Sequence, residues 1–216
     1  MLELGLKTLI GYLLGSLMGA LLVGAIRGVD IRELGSGNAG GTNALRTQGI
    51  WFAAGTVLID VGKGWLAAGW LPQLEIPGVA MDPLIGRDWL AVCCAAAAVA
   101  GHVWPQFHGF RGGKGGATLA GALLALAPVL AAIAIGAWLL TMMLTGFAGL
   151  ATITAAISIP AAMRLLGLES AALLAFSLVM ASLVVFAHRS NITRMWQRTE
   201  PRVDRLWLLR PRTPQR

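Results

Sequence analysis

The chain has 216 residues, 56% of them hydrophobic and 12% charged, with a net charge of +7. A soluble domain carries about 25% charge, and the apolar residues here stand in blocks of the length, about 20 residues, that crosses a bilayer. A soluble globular fold is therefore excluded. Cys93 and Cys94 are adjacent inside an apolar run, and His102, His108 and His188 stand far apart, so neither a disulfide framework nor a zinc site is expected.

The first apolar block runs over 4–26 behind Lys7. It is too long for the core of a cleavable signal, about 7–15 residues, and predicts a first transmembrane helix. Gly11, Gly15 and Gly19 repeat every fourth residue, a spacing that lets helices pack closely. The segment 27–49 carries Arg27, Arg32 and Arg46 around the run Gly35-Ser-Gly-Asn-Ala-Gly-Gly-Thr-Asn43. Glycines there permit close backbone approach, and successive N–H groups can form an anion-binding nest. Ser36, Asn38, Thr42 and Asn43 add neutral donors, and Arg46 a fork suited to phosphate. An ordinary Gly/Asn turn is the other reading.

A second block, 50–71, contains Asp60 and Lys63 one helical turn apart. Charges inside a membrane mark a function or a pair, and a helix pair that holds packing is the simpler alternative. The segment 72–88 has one basic residue, Arg87, and reads as outside. The third block, 89–107, ends in Gly101-His-Val-Trp-Pro105 and leads to Phe110-Arg-Gly-Gly-Lys-Gly-Gly-Ala-Thr118. Lys114 among four glycines looks like a phosphate cradle, and a following helix would aim its N–H groups at the same anion. The spacing is not that of a nucleotide P-loop. A flexible turn with a snorkelling lysine is the alternative.

The block 116–187 holds 72 residues and two charges, Arg164 and Glu169. From His188 onward eight arginines face Glu200 and Asp204, so this basic tail reads as cytoplasmic. Both ends of the long block then lie inside, and it crosses an even number of times. Four crossings, broken at Pro128, Gly146–Gly149 and the Pro160–Gly167 region, give seven transmembrane helices in all, with the N-terminus outside; five is the alternative count. The expected fold is a single all-α, polytopic membrane domain over 1–216, with a basic cytoplasmic tail from about 188. His188 and Asn191 share a helix face. No carboxylate cluster suits a divalent ion, so neither metal nor cofactor is expected, and the rest of the tail is read as a solvated or lipid-headgroup-binding surface, with no nucleic-acid partner.

Three segments now carry a family resemblance. Gly35 to Arg46 resembles GSGN-x-GATN-x-x-R, with Gly41 where alanine is usual. Gly101 to Thr118 resembles GH-x-x-P-x-F followed by FKGGKGVAT, with Arg111 for lysine and Gly116 for valine. His188 to Glu200 resembles HR-x-NI-x-R followed by Gly-x-Glu, with Arg198 in place of the glycine. In this the chain is similar, along nearly its whole length, to the bacterial acyl-phosphate-dependent glycerol-3-phosphate acyltransferases, the PlsY family. The resemblance implies transfer of an acyl group from acyl phosphate to the 1-hydroxyl of sn-glycerol 3-phosphate, the first step of phospholipid synthesis. It also implies seven helices and a site on the cytoplasmic face of the bacterial inner membrane. Glycerol 3-phosphate, acyl phosphate and membrane lipids are the expected partners.

His188, Asn191 and Ser36 are the catalytic candidates. The substrate-binding candidates are Ser36, Gly37, Asn38, Thr42, Asn43, Arg46, His102, Gly112, Gly113, Lys114, Gly115, Thr118 and Arg189. Asp60, Lys63 and Glu200 are read as structural. His188 or a substrate phosphate would take the hydroxyl proton. A covalent acyl-Ser36 is disfavoured, because no local His or acid activates that serine. A transporter of an organic phosphate is the competing class, and it predicts charged or broken helices at the bilayer midplane.

Overall fold

The computed structural model describes residues 1–209; residues 210–216 of the expected basic tail lie outside them. Among the described residues there are ten α-helices and no strand, as a bilayer, which leaves no water to satisfy an open backbone, requires. They are α1 (Leu2–Gly15), α2 (Gly19–Arg27), α3 (Gly41–Gln48), α4 (Ile50–Trp65), α5 (Arg87–Val103), α6 (Gly116–Leu126), α7 (Pro128–Thr145), α8 (Ala148–Leu165), α9 (Ala171–Ala187) and α10 (Arg189–Trp196). α4 runs on through a π turn, Leu66–Trp70.

The first apolar block is not one straight helix. Met18 is extended (φ −85°, ψ 112°), and α1 and α2 meet at 41°. Four helical segments are long and apolar enough to cross a membrane, and six if the bent pairs α1–α2 and α9–α10 each count once. α6, with 11 residues, is shorter; at 1.5 Å per residue it reaches about 17 Å, half of the hydrocarbon core. Pro128 opens α7 and Gly146 (φ 73°) closes it, as the sequence suggests. Pro160 does not break its helix: it lies inside α8, and the turn comes at Gly167 (φ 65°). Neighbouring elements in a helix bundle can re-satisfy the carbonyl that a proline frees.

Glycine decides the closest packing. A Cβ on Gly15 would overlap the Ala98 backbone, one on Gly101 the Tyr12 carbonyl, and one on Gly11 would lie 2.8 Å from the Cys94 oxygen. α1 and α5 are thus in backbone contact. Gly64 and Gly121 bring α4 and α6 together in the same way. The largest core cluster includes Val99, Leu123, Ile159, Met163, Phe176, Met180 and Val184, whereas Leu139, Leu140, Leu144, Leu178 and Val179 face outward, where lipid would be. One end of the bundle is closed by ions: Glu3 bonds Lys7 and Arg87 at 2.7 Å each, and the Met1 ammonium pairs with Asp82. Helix direction places the Gly/Asn loops and residues 188–203 at the other end.

Candidate active site

The first loop folds around the side chain of Asn43, which is buried. Its Oδ1 accepts from the Ser36 N–H at 3.0 Å, and its Nδ2 donates to the carbonyls of Leu34 (2.9 Å) and Ile31 (3.2 Å). Gly35 and Gly37 take φ of 57° and 70°, which an L side chain resists. Asn43 therefore shapes the loop with the donors that sequence reading assigned to substrate. Ser36 and Gly37 are exposed, and Asn38 and Thr42 half-buried, at its surface. α3 then carries Arg46 outward, where Nη2 donates to the Pro201 carbonyl at 2.9 Å.

In the second loop the Gly113 N–H donates to the His102 carbonyl at 3.0 Å. Gly115 (φ 82°) turns the chain into α6. Lys114 donates from Nζ to Asn191 Oδ1. Burial, and after it the Arg194 charge, pulls its pKa down to about 8. Thr118, in the first turn of α6, is fully buried, and among the described residues nothing bonds its Oγ1.

The third segment begins where α9 ends. His188 is buried, with Nδ1 2.8 Å from the Val184 carbonyl. A carbonyl can only accept, so Nδ1 carries the proton and Nε2 keeps its lone pair. Burial lowers the His188 pKa to about 4, the Lys114 charge adding to the effect, so the ring is neutral at pH 7. Asn191 is also buried; Gly149 of α8 makes room for it, since a Cβ there would lie 2.8 Å from the Asn191 Cβ. Asn191 Nδ2 donates to Glu200 Oε1 at 2.6 Å, and Arg194 Nε donates to Glu200 Oε2 at 2.7 Å. The turn that presents Glu200 is made by Arg198 at φ 59°, in the place of the family's glycine. It closes with the Thr199 and Glu200 N–H groups on the Arg194 carbonyl, at 2.8 and 3.1 Å. Val203 N–H then donates to the Gly146 carbonyl at 2.8 Å, fastening the tail to the α7–α8 turn.

Lys114, Asn191, Glu200 and Arg194 thus form one bonded chain, with Arg46 tied beside it through Pro201. Arg189 turns away: it is exposed, 4.5 Å over the Phe186 ring. His102 is bonded to Lys63 rather than to the four residues of the chain, and it lies near Asp60 with its Nε2 against Gly113. Arg194 was not among the sequence candidates, although its place one turn after Asn191 is a readable signal. The ensemble is a basic, partly buried cluster with one unprotonated imidazole nitrogen, and the first loop adds neutral donors. It suits the holding of anions and the orientation of a hydroxyl.

The comparisons agree with that chemistry. The sequence profile described as glycerol-3-phosphate acyltransferase matches residues 6–198. A glycerol-3-phosphate acyltransferase of Rippkaea orientalis is 39% identical over 202 residues, 92% of each chain. One from Salinibacter ruber is 39% identical over 211 residues, covering 91% of this chain and 90% of its own. Two crystal structures of PlsY (YgiH), an integral membrane glycerol 3-phosphate acyltransferase, match with a TM-score of 0.80 each. Its glycerol 3-phosphate form is 31% identical, covering 92% of this chain and 94% of its own. Its lysophosphatidic acid form is 30% identical, covering 95% and 98%. A profile matched over residues 6–198 and relatives 39% identical over 92% of the chain show that this protein belongs to the glycerol-3-phosphate acyltransferase family.

Proposed function

We propose that the protein transfers an acyl group from acyl phosphate to the 1-hydroxyl of sn-glycerol 3-phosphate, releasing lysophosphatidic acid and inorganic phosphate. The observation that carries this reading is the bonded chain Lys114–Asn191–Glu200–Arg194, which gathers cations from two separate motifs beside the neutral His188. An acyl phosphate is already activated, so the protein has three tasks: bring two anions together, offset their repulsion and place the hydroxyl. Lys114, Arg46 and Arg194 supply the fixed charge. Ser36 and the backbone of the first loop, with the N-terminus of α6, supply neutral donors. His188 accepts a hydrogen bond from the hydroxyl at Nε2. The hydroxyl oxygen bonds the acyl carbon, the carbon–oxygen bond to phosphate breaks, and the proton passes to His188 Nε2 or to a phosphate oxygen.

The acyl chain lies between helices in the bilayer. Six spans and the short α6 make seven crossings, with the N-terminus outside and the site on the cytoplasmic face of a bacterial inner membrane. The basic residues at the site end of the bundle support that orientation. The transporter reading has a broken helix in its favour, at Met18, but the polar groups of that break are bonded within the protein rather than left to a substrate. The test is purified protein with acyl phosphate and labelled glycerol 3-phosphate, without coenzyme A and with EDTA. Labelled lysophosphatidic acid is expected, and its absence overturns the proposal.

A further inference from the structure

A helix leaves the carbonyls of its last turn without helical partners, and beside a bilayer such groups are costly. At the end of α7 the segment 201–209 supplies the partners. Leu208 N–H donates to the Met143 carbonyl at 2.9 Å, Trp207 Nε1 to the Leu144 carbonyl at 3.2 Å, and Val203 N–H to the Gly146 carbonyl. The Val203 side chain is buried with Met142, Ala148 and Ala151. Gly146 lets this strap come so close: a Cβ there would lie 3.1 Å from Trp207 Cβ and 3.2 Å from Arg202 Cβ.

Arg202 lies between two rings, its guanidinium carbon 4.0 Å from the Trp207 ring and 4.5 Å from the Phe147 ring. Both ring faces attract a cation so placed, and the negative end of α7 favours it too. Phe147 stands just before α8, and Gly149, where Asn191 is seated, lies in the first turn of that helix. The strap and Asn191 thus grip the same turn, with Glu200 between them. Arg194 holds Glu200 from α10, and the strap holds the chain just beyond it.

We infer that Arg202 is a positioning residue of the acyl-transfer site: seated between Phe147 and Trp207, it holds Glu200 against Asn191 and so keeps the Asn191 amide oxygen on Lys114. This rests on the functional reading above. A carboxylate only accepts, so Glu200 takes the Asn191 amide N–H and leaves the oxygen for the ammonium. Without a fixed Glu200 the amide is free to turn, and its NH2 would then face the ammonium, donor against donor. The strap, which lies beyond the three motifs, thereby aims the cation of the second motif through the amide of the third.

A double-mutant cycle on the full chain in detergent separates positioning from a purely structural role. Arg202→Ala leaves in place every group proposed to touch substrate. Its kcat/KM for glycerol 3-phosphate should fall by roughly 5- to 30-fold, the worth of two ring contacts of an exposed cation. Arg202→Lys keeps a cation over the rings and should recover most of that loss. In a Glu200→Ala background, where the strap has nothing to hold, adding Arg202→Ala should cost less than about twofold. A strap that only stabilises the fold gives another pattern: a lower midpoint of thermal unfolding, with kcat/KM per folded molecule within about twofold of wild type. That pattern overturns the inference, and so do losses that simply multiply in the double variant. Trp207→Phe keeps a ring for Arg202 and frees the Leu144 carbonyl; it carries the same cycle if Arg202→Ala does not fold. If the wild type makes no lysophosphatidic acid, the functional reading falls by itself. The cycle is then read from the dissociation constant of inorganic phosphate: a loss that depends on Glu200 supports the inference, and one that does not overturns it.

Discussion

Lys114 sits between glycines with its ammonium on Asn191 and its pKa lowered to about 8. Lys114→Ala removes the charge and leaves the loop and the helices in place. Loss of a charge-assisted bond of about 1.5–3 kcal/mol corresponds to roughly a 10- to 150-fold fall in kcat/KM for glycerol 3-phosphate. A value within about threefold of wild type, under ~0.7 kcal/mol, would remove Lys114 from the site. The sign of the pH effect follows from the lowered pKa. The ammonium is present below about pH 8 and lost above it, so kcat/KM should decline on the alkaline side. Lys114→Arg should recover part of the activity and lose that decline, because a guanidinium stays charged; a decline that persists in the arginine variant assigns it to another group. Arg198 offers a stability test. A side chain in the left-handed region costs about 1–2 kcal/mol, partly offset by the greater chain entropy of an unfolded glycine. Arg198→Gly should therefore raise the midpoint of thermal unfolding slightly. A fall would mean that contacts of the arginine side chain outweigh the strain.

Helices and breaks differ in how plainly the sequence announces them. The blocks behind α4, α5, α7, α8 and α9 are legible because apolar length is what a bilayer selects, and Pro128 and Gly146 mark ends through their backbone chemistry. The break at Met18 is not legible. Its residues are as apolar as their neighbours, and it persists because Lys63 and Asp60, more than forty positions away, bond the chain at Leu17 and Gly19. The partnership of Lys63 with His102 is hidden for the same reason: periodicity reports residues three or four apart, not helices that pack. Likewise the composition of 35–43 points to a loop with donors, but only the fold shows that Asn43 spends its amide on that loop. The glycines give this scale its prediction. Gly15→Ala must push α1 from α5, since its Cβ meets backbone, and overpacking of this kind costs about 1–3 kcal/mol. Gly5 has nothing within 4 Å of a Cβ, and Gly5→Ala should be neutral or stabilising by about 0.5–1 kcal/mol. Thermal unfolding in detergent compares the two, and equal midpoints would contradict the close α1–α5 contact.

At the scale of the whole molecule the two ends differ in kind: an ionic lock around Glu3, Lys7, Arg87 and Asp82 at one, the basic cluster at the other. In a Cys93→Ala, Cys94→Ala background, Met81→Cys should react with an impermeant maleimide in intact spheroplasts. Thr199→Cys should react only after permeabilisation. The opposite pattern would invert the proposed orientation and move the basic cluster to the outer face.

The bond from Lys114 to Asn191 spans 77 residues, and Glu200 and the Val203 anchor come later still. All of α6 to α9 is synthesised between the two partners of that bond. A chain still on the ribosome can have every apolar helix inserted while Lys114 waits for its partners. The contacts of the proposed site therefore close only after α6 to α9 have been made.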